Sequence, residues 1–234
     1  MSRVIYAPSG RAKEYCDLAC NLYRGCSHGC TYCYAPAILR KSGITREDFF
    51  EHPAVRPNVL RKLALDAPDY SGREVQLCFT CDPYQPLDEE LQITREAIRI
   101  LKNNDVIVRV LTKGGRRAER DFDLLVPGVD WHGQTLTYSD AVQSAEDEPL
   151  AASPRDRLTT LENAKKSGLR TWVSMEPVKA PAQVLELIET SKDYVDIFKL
   201  GKWNHDKKAE EIDWIKFTDE AVELLEKHGK EYHL

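Results

Sequence analysis

Three cysteines fall close together in the run LYRGCSHGCTYCYAP (22–36): Cys26, Cys30 and Cys33. Thiolates favour zinc and iron–sulfur clusters. A structural zinc site takes four ligands, usually as two pairs, whereas this spacing offers three thiols and no obvious fourth. Three cysteines on one tight loop suit a cubane cluster in which the protein binds three irons. The fourth iron is then open to chelate a substrate or a second cofactor. Gly25 and Gly29 let the backbone wrap closely around such a cluster, with amides available to its sulfides. Two other readings stay open at this level: His28 completing a zinc site, and a trio of inert buried cysteines.

All seven cysteines, at 16, 20, 26, 30, 33, 78 and 81, lie in the first third of the 234 residues. An odd, clustered count fits metal ligation better than a disulfide scaffold. No apolar run approaches the roughly 18 residues of a membrane span, and the opening MSRVIYAPSGRAKEY lacks the apolar stretch of a signal peptide, so a reducing, cytoplasmic setting is expected. The net charge of −5 argues against a nucleic-acid binder driven by bulk electrostatics. A local basic cluster exists in Arg109, Lys113, Arg116, Arg117 and Arg120, as a phosphate contact or as a solvated helix face.

The elements that must position the loop alternate along the chain. Strand candidates are about 15–23, then 74–80, 105–112, 134–139, 169–176 and 194–201. Between them lie amphipathic segments. DEELQITREAIRILKNN places Leu91, Thr94, Ile98 and Leu101 on one face with Asp88 as N-cap, and SPRDRLTTLENAKKSG opens on Ser153-Pro154 and closes at Gly168. AQVLELIETSK and EEIDWIKFTDEAVELLEKHG complete six strand–helix units. These predict a parallel α/β sheet, flat or curled toward a barrel, in one domain over 1–234. Residues 1–14 read as an N-terminal extension, 24–36 as the cysteine loop and 143–153 as a mobile acidic loop. Parallel α/β folds collect their chemistry at the carboxyl ends of strands. There this chain carries CDPYQP, TKGGRR, SD, EPV and GKWNH, as a ligand-filled mouth would.

CSHGCTYC resembles the C-x3-C-x2-C signature of the radical S-adenosylmethionine (radical SAM) enzymes, including the aromatic Tyr32 before the last cysteine. The longer NLYRGCSHGCTYCYAP is similar to the spore photoproduct lyase-like branch, where DPYQP, the TK pair and SPRDRL have counterparts. The resemblance implies a partial (β/α)6 barrel and a [4Fe–4S] cluster on Cys26, Cys30 and Cys33. It further implies S-adenosylmethionine chelated at the open iron and cleaved reductively to a 5′-deoxyadenosyl radical that abstracts a substrate hydrogen.

The resemblance also proposes the cofactor's neighbours. Where relatives often carry a GGE-like stretch for the cofactor's amino group, this chain has Thr80-Cys81-Asp82-Pro83, with Thr80 and Asp82 able to accept from an ammonium. Lys113 is placed to pair with the cofactor carboxylate. Thr137 and Ser139, on one face of a strand, are placed for carboxylate or ribose. Arg157 approaches the cofactor, Tyr32 and Tyr34 lie beside it with Tyr34 packing on the adenine, and Glu176 and Asn204 line the substrate side. Cys81 stands as a candidate hydrogen donor to a product radical. Cys16, Cys20, Cys78 and Cys81 are buried small hydrophobes or a second metal site, though Cys16 and Cys20 on one extended strand would be about 13 Å apart.

The expected function is radical SAM chemistry on an unknown substrate, with nucleic-acid repair or modification, a peptide and a metabolite all open, and with flavodoxin or ferredoxin as electron donor. The competing class is an iron–sulfur carrier or zinc module without radical chemistry.

Overall fold

The computed structural model describes residues 3–203 and 206–234. The strands are β1 (Ile5–Tyr6), β2 (Ala19–Cys20), β3 (Tyr23–Arg24), β4 (Ala54–Val55), β5 (Glu74–Leu77), β6 (Ile107–Thr112), β7 (Trp131–Thr135), β8 (Arg170–Val178), β9 (Ile197–Lys202) and β10 (Glu231–His233). The α-helices are α1 (Ala35–Leu39), α2 (Arg46–Glu51), α3 (Val59–Asp66), α4 (Pro86–Leu91), α5 (Ile93–Lys102), α6 (Ala141–Asp147), α7 (Pro154–Lys166), α8 (Pro181–Ser191) and α9 (Trp214–Lys227).

Eight strands form one sheet in the order β1-β2-β5-β6-β7-β8-β9-β10. Every neighbouring pair from β2 to β10 is parallel, and β1 runs antiparallel at the β2 edge. β3 and β4 make a separate antiparallel ribbon. Among the described residues β1 and β10 do not pair with each other and stand as the sheet's edges, consistent with a partial barrel. Helices fill each crossover except that between β6 and β7, where the 3₁₀ stretch Gly115–Leu124 stands in. Among the described residues no helix is long and apolar enough to cross a membrane.

Strand alternation divides the core. Val108, Val110, Val173, Met175 and Phe198 pack toward the helices. On the other face Trp131, Trp172 and Ile197 pack with Tyr15, Ile107 and Leu111. Trp172 is fully buried, worth roughly 3 kcal/mol by the area it removes from water, and its indole donates to the Val110 carbonyl at 3.0 Å. The inner face is also charged. Arg109 lies 4.8 Å from the Trp131 ring and 4.3 Å from the Trp172 ring and pairs with Glu74 at 3.1 Å. Lys199 donates to the Glu14 carbonyl and sits 4.2 Å from the Tyr15 ring, and burial, helped by Arg109, lowers its pKa to about 8.

Several elements depart from the sequence reading. The first strand shrinks to Ala19–Cys20, and the expected extension supplies edge strand β1. The expected 88–104 helix breaks at Gln92, which has φ 50°. Asp88 is not an N-cap there: it is buried and accepts from Tyr23, Arg120 and the Thr94 amide, so it caps the second helix instead. β7 starts three residues early, at Trp131, and ends at Thr135. The segment read as a mobile acidic loop, 143–153, begins inside α6 and continues with a buried Glu148. As expected, Ser153 caps α7 by accepting from the Asp156 amide.

Candidate functional site

The cysteine loop leaves the β3–β4 ribbon at Gly25, whose φ is 88°. A Cβ there would lie 2.5 Å from the Phe49 carbonyl oxygen, so only glycine fits. The same carbonyl accepts from the Cys26 amide at 2.9 Å. Gln85, in DPYQP, clamps the loop from the next strand end: it accepts from the Ser27 amide at 3.1 Å and donates to the Gly25 carbonyl at 3.3 Å. His28 is buried, and burial lowers its pKa to about 4, so it is neutral. Its Nε2 accepts from Arg117 at 2.9 Å, and its Nδ1 faces Asp82 at 3.4 Å. With both ring nitrogens engaged, His28 does not serve as the fourth ligand of a zinc site.

Cys26 and Cys30 are buried, Cys33 is half-buried, and none is in a disulfide. Burial raises all three thiol pKa values, Cys30 to about 12 against the pull of Lys113. The metal-free thiols are therefore protonated, and metal binding must release protons. Among the described residues no three His, Cys, Asp or Glu side chains converge on a point where one ion would sit. The donor set, three thiols with no spare imidazole, suits a cubane whose irons take one thiolate each.

The other strand ends bring part of the expected set together. Tyr32 donates to Glu148 and lies 3.1 Å from the Thr137 hydroxyl. The Lys113 ammonium sits 5.5 Å from the Tyr32 ring centre. Burial alone would lower its pKa, but its acidic neighbours, Glu148 among them, raise it more, so it stays charged. Arg157 is fully buried and braces the wall: it donates to Glu148 at 2.6 Å, to the Thr135 carbonyl at 2.9 Å and to the Ala152 carbonyl at 2.7 Å. Asp82 is saturated as well, accepting from Thr112 at 2.5 Å, the Tyr84 amide at 2.8 Å and the Lys113 amide at 2.7 Å. Thr80 differs from Asp82: its hydroxyl is buried without a partner.

Tyr34 exposes 55% of its surface and donates to the Phe79 carbonyl at 2.7 Å. Thr137 and Ser139 do not share a face, because β7 has ended before them. Ser139 turns to α8, donating to Gln183 and, at 2.6 Å, to Glu186. Cys81 is half-buried, with its thiol against buried Cys78 and within electrostatic reach of Cys20. Cys16 stands apart, its thiol on the Glu74 carbonyl at 3.4 Å. Glu176 is half-buried over Gly201, where a Cβ would meet its carboxylate at 2.2 Å. Asn204 lies outside the described residues. Missed from the sequence were Gln85, Asp147 and Glu148. Gln85 lay inside a quoted motif, whereas SAEDEP carried only the signal of a solvated acidic turn.

The four arginines of the expected basic cluster all have partners within the protein, Arg116 in a pair at the surface. Arg116 pairs with Asp156 at 2.9 Å, Arg117 donates to the Tyr84 carbonyl at 2.9 Å, Arg120 pairs with Asp88 and Arg109 with Glu74.

The family model of the Radical SAM superfamily matches residues 20–195. An uncharacterized protein of Mycobacterium tuberculosis is 29% identical over 165 residues, 68% of this chain and 48% of that one. The chain thus spans about half the length of that relative. An uncharacterized protein of Acidianus two-tailed virus is 25% identical over 215 residues, 83% of this chain and 67% of that one. Among solved structures, a variant spore photoproduct lyase with bound S-adenosylmethionine and dinucleoside spore photoproduct has TM-score 0.74 at 16% identity, over 97% of this chain and 78% of that one. Streptococcus suis SuiB bound to S-adenosylmethionine has TM-score 0.65 at 10% identity, over 90% and 48%. Those identities speak to fold alone, while the family match covers most of the chain and contains all three loop cysteines. The chain belongs to the radical SAM superfamily.

Proposed function

We propose that Cys26, Cys30 and Cys33 hold a [4Fe–4S] cluster beside an S-adenosylmethionine site, and that the chain uses the resulting radical to abstract hydrogen from a substrate. When bound, the cluster supplies one electron that splits the sulfonium into methionine and a 5′-deoxyadenosyl radical. The observation that carries this reading is the cysteine loop itself: three unpaired thiols beside a charged Lys113, with the neighbouring imidazole already committed. Lys113 offers its ammonium to the cofactor carboxylate. Thr80 offers an unpartnered hydroxyl to the cofactor's amino group, a better acceptor there than saturated Asp82. Tyr32, Thr137 and Arg157 shape the wall behind Lys113, Ser139 stands at its rim, and the exposed Tyr34 ring offers a face for adenine. We assign Cys81, half-buried with Cys78 against it, the role of returning hydrogen to a product radical. A flavodoxin or ferredoxin fits the need for one low-potential electron.

The spore photoproduct lyase structure with its dinucleoside supports a nucleic-acid lesion or modified nucleobase as substrate class here. The test is anaerobic reconstitution with iron and sulfide, then dithionite and S-adenosylmethionine. The expected product is 5′-deoxyadenosine, with about four irons per chain, and Cys30→Ala should lose both iron and product. A full cluster without cleavage would establish an electron carrier instead.

A further inference from the structure

The last residue of α6 and the segment that follows it lie directly on the cysteine loop, residue against residue. The Thr31 amide donates to the Asp147 carbonyl at 2.9 Å and the Thr31 hydroxyl to the Asp147 carboxylate at 2.5 Å. Tyr32 donates to Glu148, a Cβ on Gly29 would sit 3.1 Å from Pro149, and the Leu150 amide donates to the His28 carbonyl at 3.2 Å. Four successive residues, 147–150, thus strap residues 28–32 to the far wall. The strap is anchored at both sides. Asp147 also accepts from Tyr138 and Lys179. Glu148 accepts from Arg157, which holds the β7 carbonyl of Thr135, and from Ser144 at 3.2 Å.

Glu148 is the member of the strap that a merely structural role does not account for. It is 1% exposed, and its carboxylate is held between the Arg157 guanidinium at 2.6 Å and the hydroxyl of Tyr32, whose ring lies 5.5 Å from the Lys113 ammonium and which sits two residues after Cys30. Burial alone would neutralise it, but Arg157 and Lys113 pull its pKa below the ordinary glutamate value, so it is a fixed anion. A fixed anion beside an electron-accepting centre disfavours the added electron, and burial leaves it little screened.

We propose that Glu148 is a positioning residue for the cysteine loop, holding Tyr32 by its hydroxyl and setting a fixed negative charge beside Lys113 and Cys30. The charge half of this rests on the function proposed above; the positioning half stands without it.

Glu148→Gln keeps the side chain's shape and removes the charge, and Glu148→Asp keeps the charge and shortens the reach. The first measurement is amide hydrogen exchange of the cluster-free protein, where both variants should speed exchange at residues 28–33 and leave β6 and β8 unchanged. The second is the midpoint potential of the reconstituted cluster, which should shift positive in Glu148→Gln and stay near wild type in Glu148→Asp. Exchange as slow as wild type in both variants, or equal potentials in wild type and Glu148→Gln, overturns the proposal. Where these variants fail to fold, Tyr32→Phe removes only the hydroxyl that Glu148 accepts, and unchanged exchange at residues 28–33 overturns the proposal equally. A wild-type protein that takes up no cluster would count against the proposed function, while the exchange comparison would still decide the positioning role.

Discussion

Two neighbouring polar residues at one strand end have opposite accounts. The Asp82 carboxylate gathers two amides and a hydroxyl from its own loop and from β6, with His28 beside it. Hydrogen bonds to an ionised group are worth about 1.5–3 kcal/mol each, so its first task is to fasten the two strand ends together. The Thr80 hydroxyl, two residues earlier, is buried with no partner, a standing cost of about 1–3 kcal/mol for a group that folding alone would have removed. Thr80→Val should therefore leave the cofactor-free protein as stable as wild type or more so in urea titration, yet weaken S-adenosylmethionine binding several-fold by calorimetry. Asp82→Ala should do the reverse first, lowering stability by about 3 kcal/mol or more. A destabilised Thr80→Val with unchanged cofactor affinity would remove Thr80 from the site. The local chemistry of Cys26, Cys30 and Cys33 was legible from spacing because three ligands on one loop need no tertiary information. Whether Asp82 or Thr80 is free could not be read that way, since the answer depends on donors from Thr112 and Lys113, thirty residues on.

The strands and helices were legible where one local signal dominated. The apolar alternation of β6 and the Ser153-Pro154 start of α7 are of this kind. β7 was misplaced because Gly133 and the polar His132 and Gln134 interrupt the strand signal between Trp131 and Thr135; what makes it a strand is pairing with β6 and β8 and the side chain lying across it. A Cβ on Gly133 would fall 2.3 Å from the Trp172 indole nitrogen, so the bare glycine is the space that lets Trp172 fill the inner face. Gly133→Ala should displace the indole from the Val110 carbonyl and cost about 1–3 kcal/mol as an overpacked core. Urea unfolding followed by tryptophan fluorescence checks this, with an unchanged midpoint as the contrary result. The strap after α6 failed for the opposite reason. Asp147 and Glu148 look like solvated acids locally, and their partners Thr31 and Tyr32 lie 116 residues earlier, so only the fold brings them together, with Arg157 completing the burial of Glu148.

At the scale of the whole molecule, charge decides how a nucleic-acid substrate would be met. The chain carries a net −5, and the arginines that could have made a phosphate-binding face after β6 are committed to Asp156, Glu74, Asp88 and main-chain carbonyls. Each phosphate neutralised contributes a salt slope of about −0.9, so an extended basic face would show itself as a steep loss of affinity with salt. Were the substrate a nucleic acid as proposed, this arrangement would favour recognition at the mouth through a base or its lesion, with few phosphates neutralised. Anisotropy titration of an oligonucleotide bearing the accepted lesion should give a slope no steeper than about −2, corresponding to about two phosphates. Arg116→Ala should leave that affinity within about twofold, because its guanidinium is already paired with Asp156. A slope near −5, with affinity lost in Arg116→Ala, would mean that these pairs open to receive the backbone and that the duplex, rather than the base, is what the molecule grips.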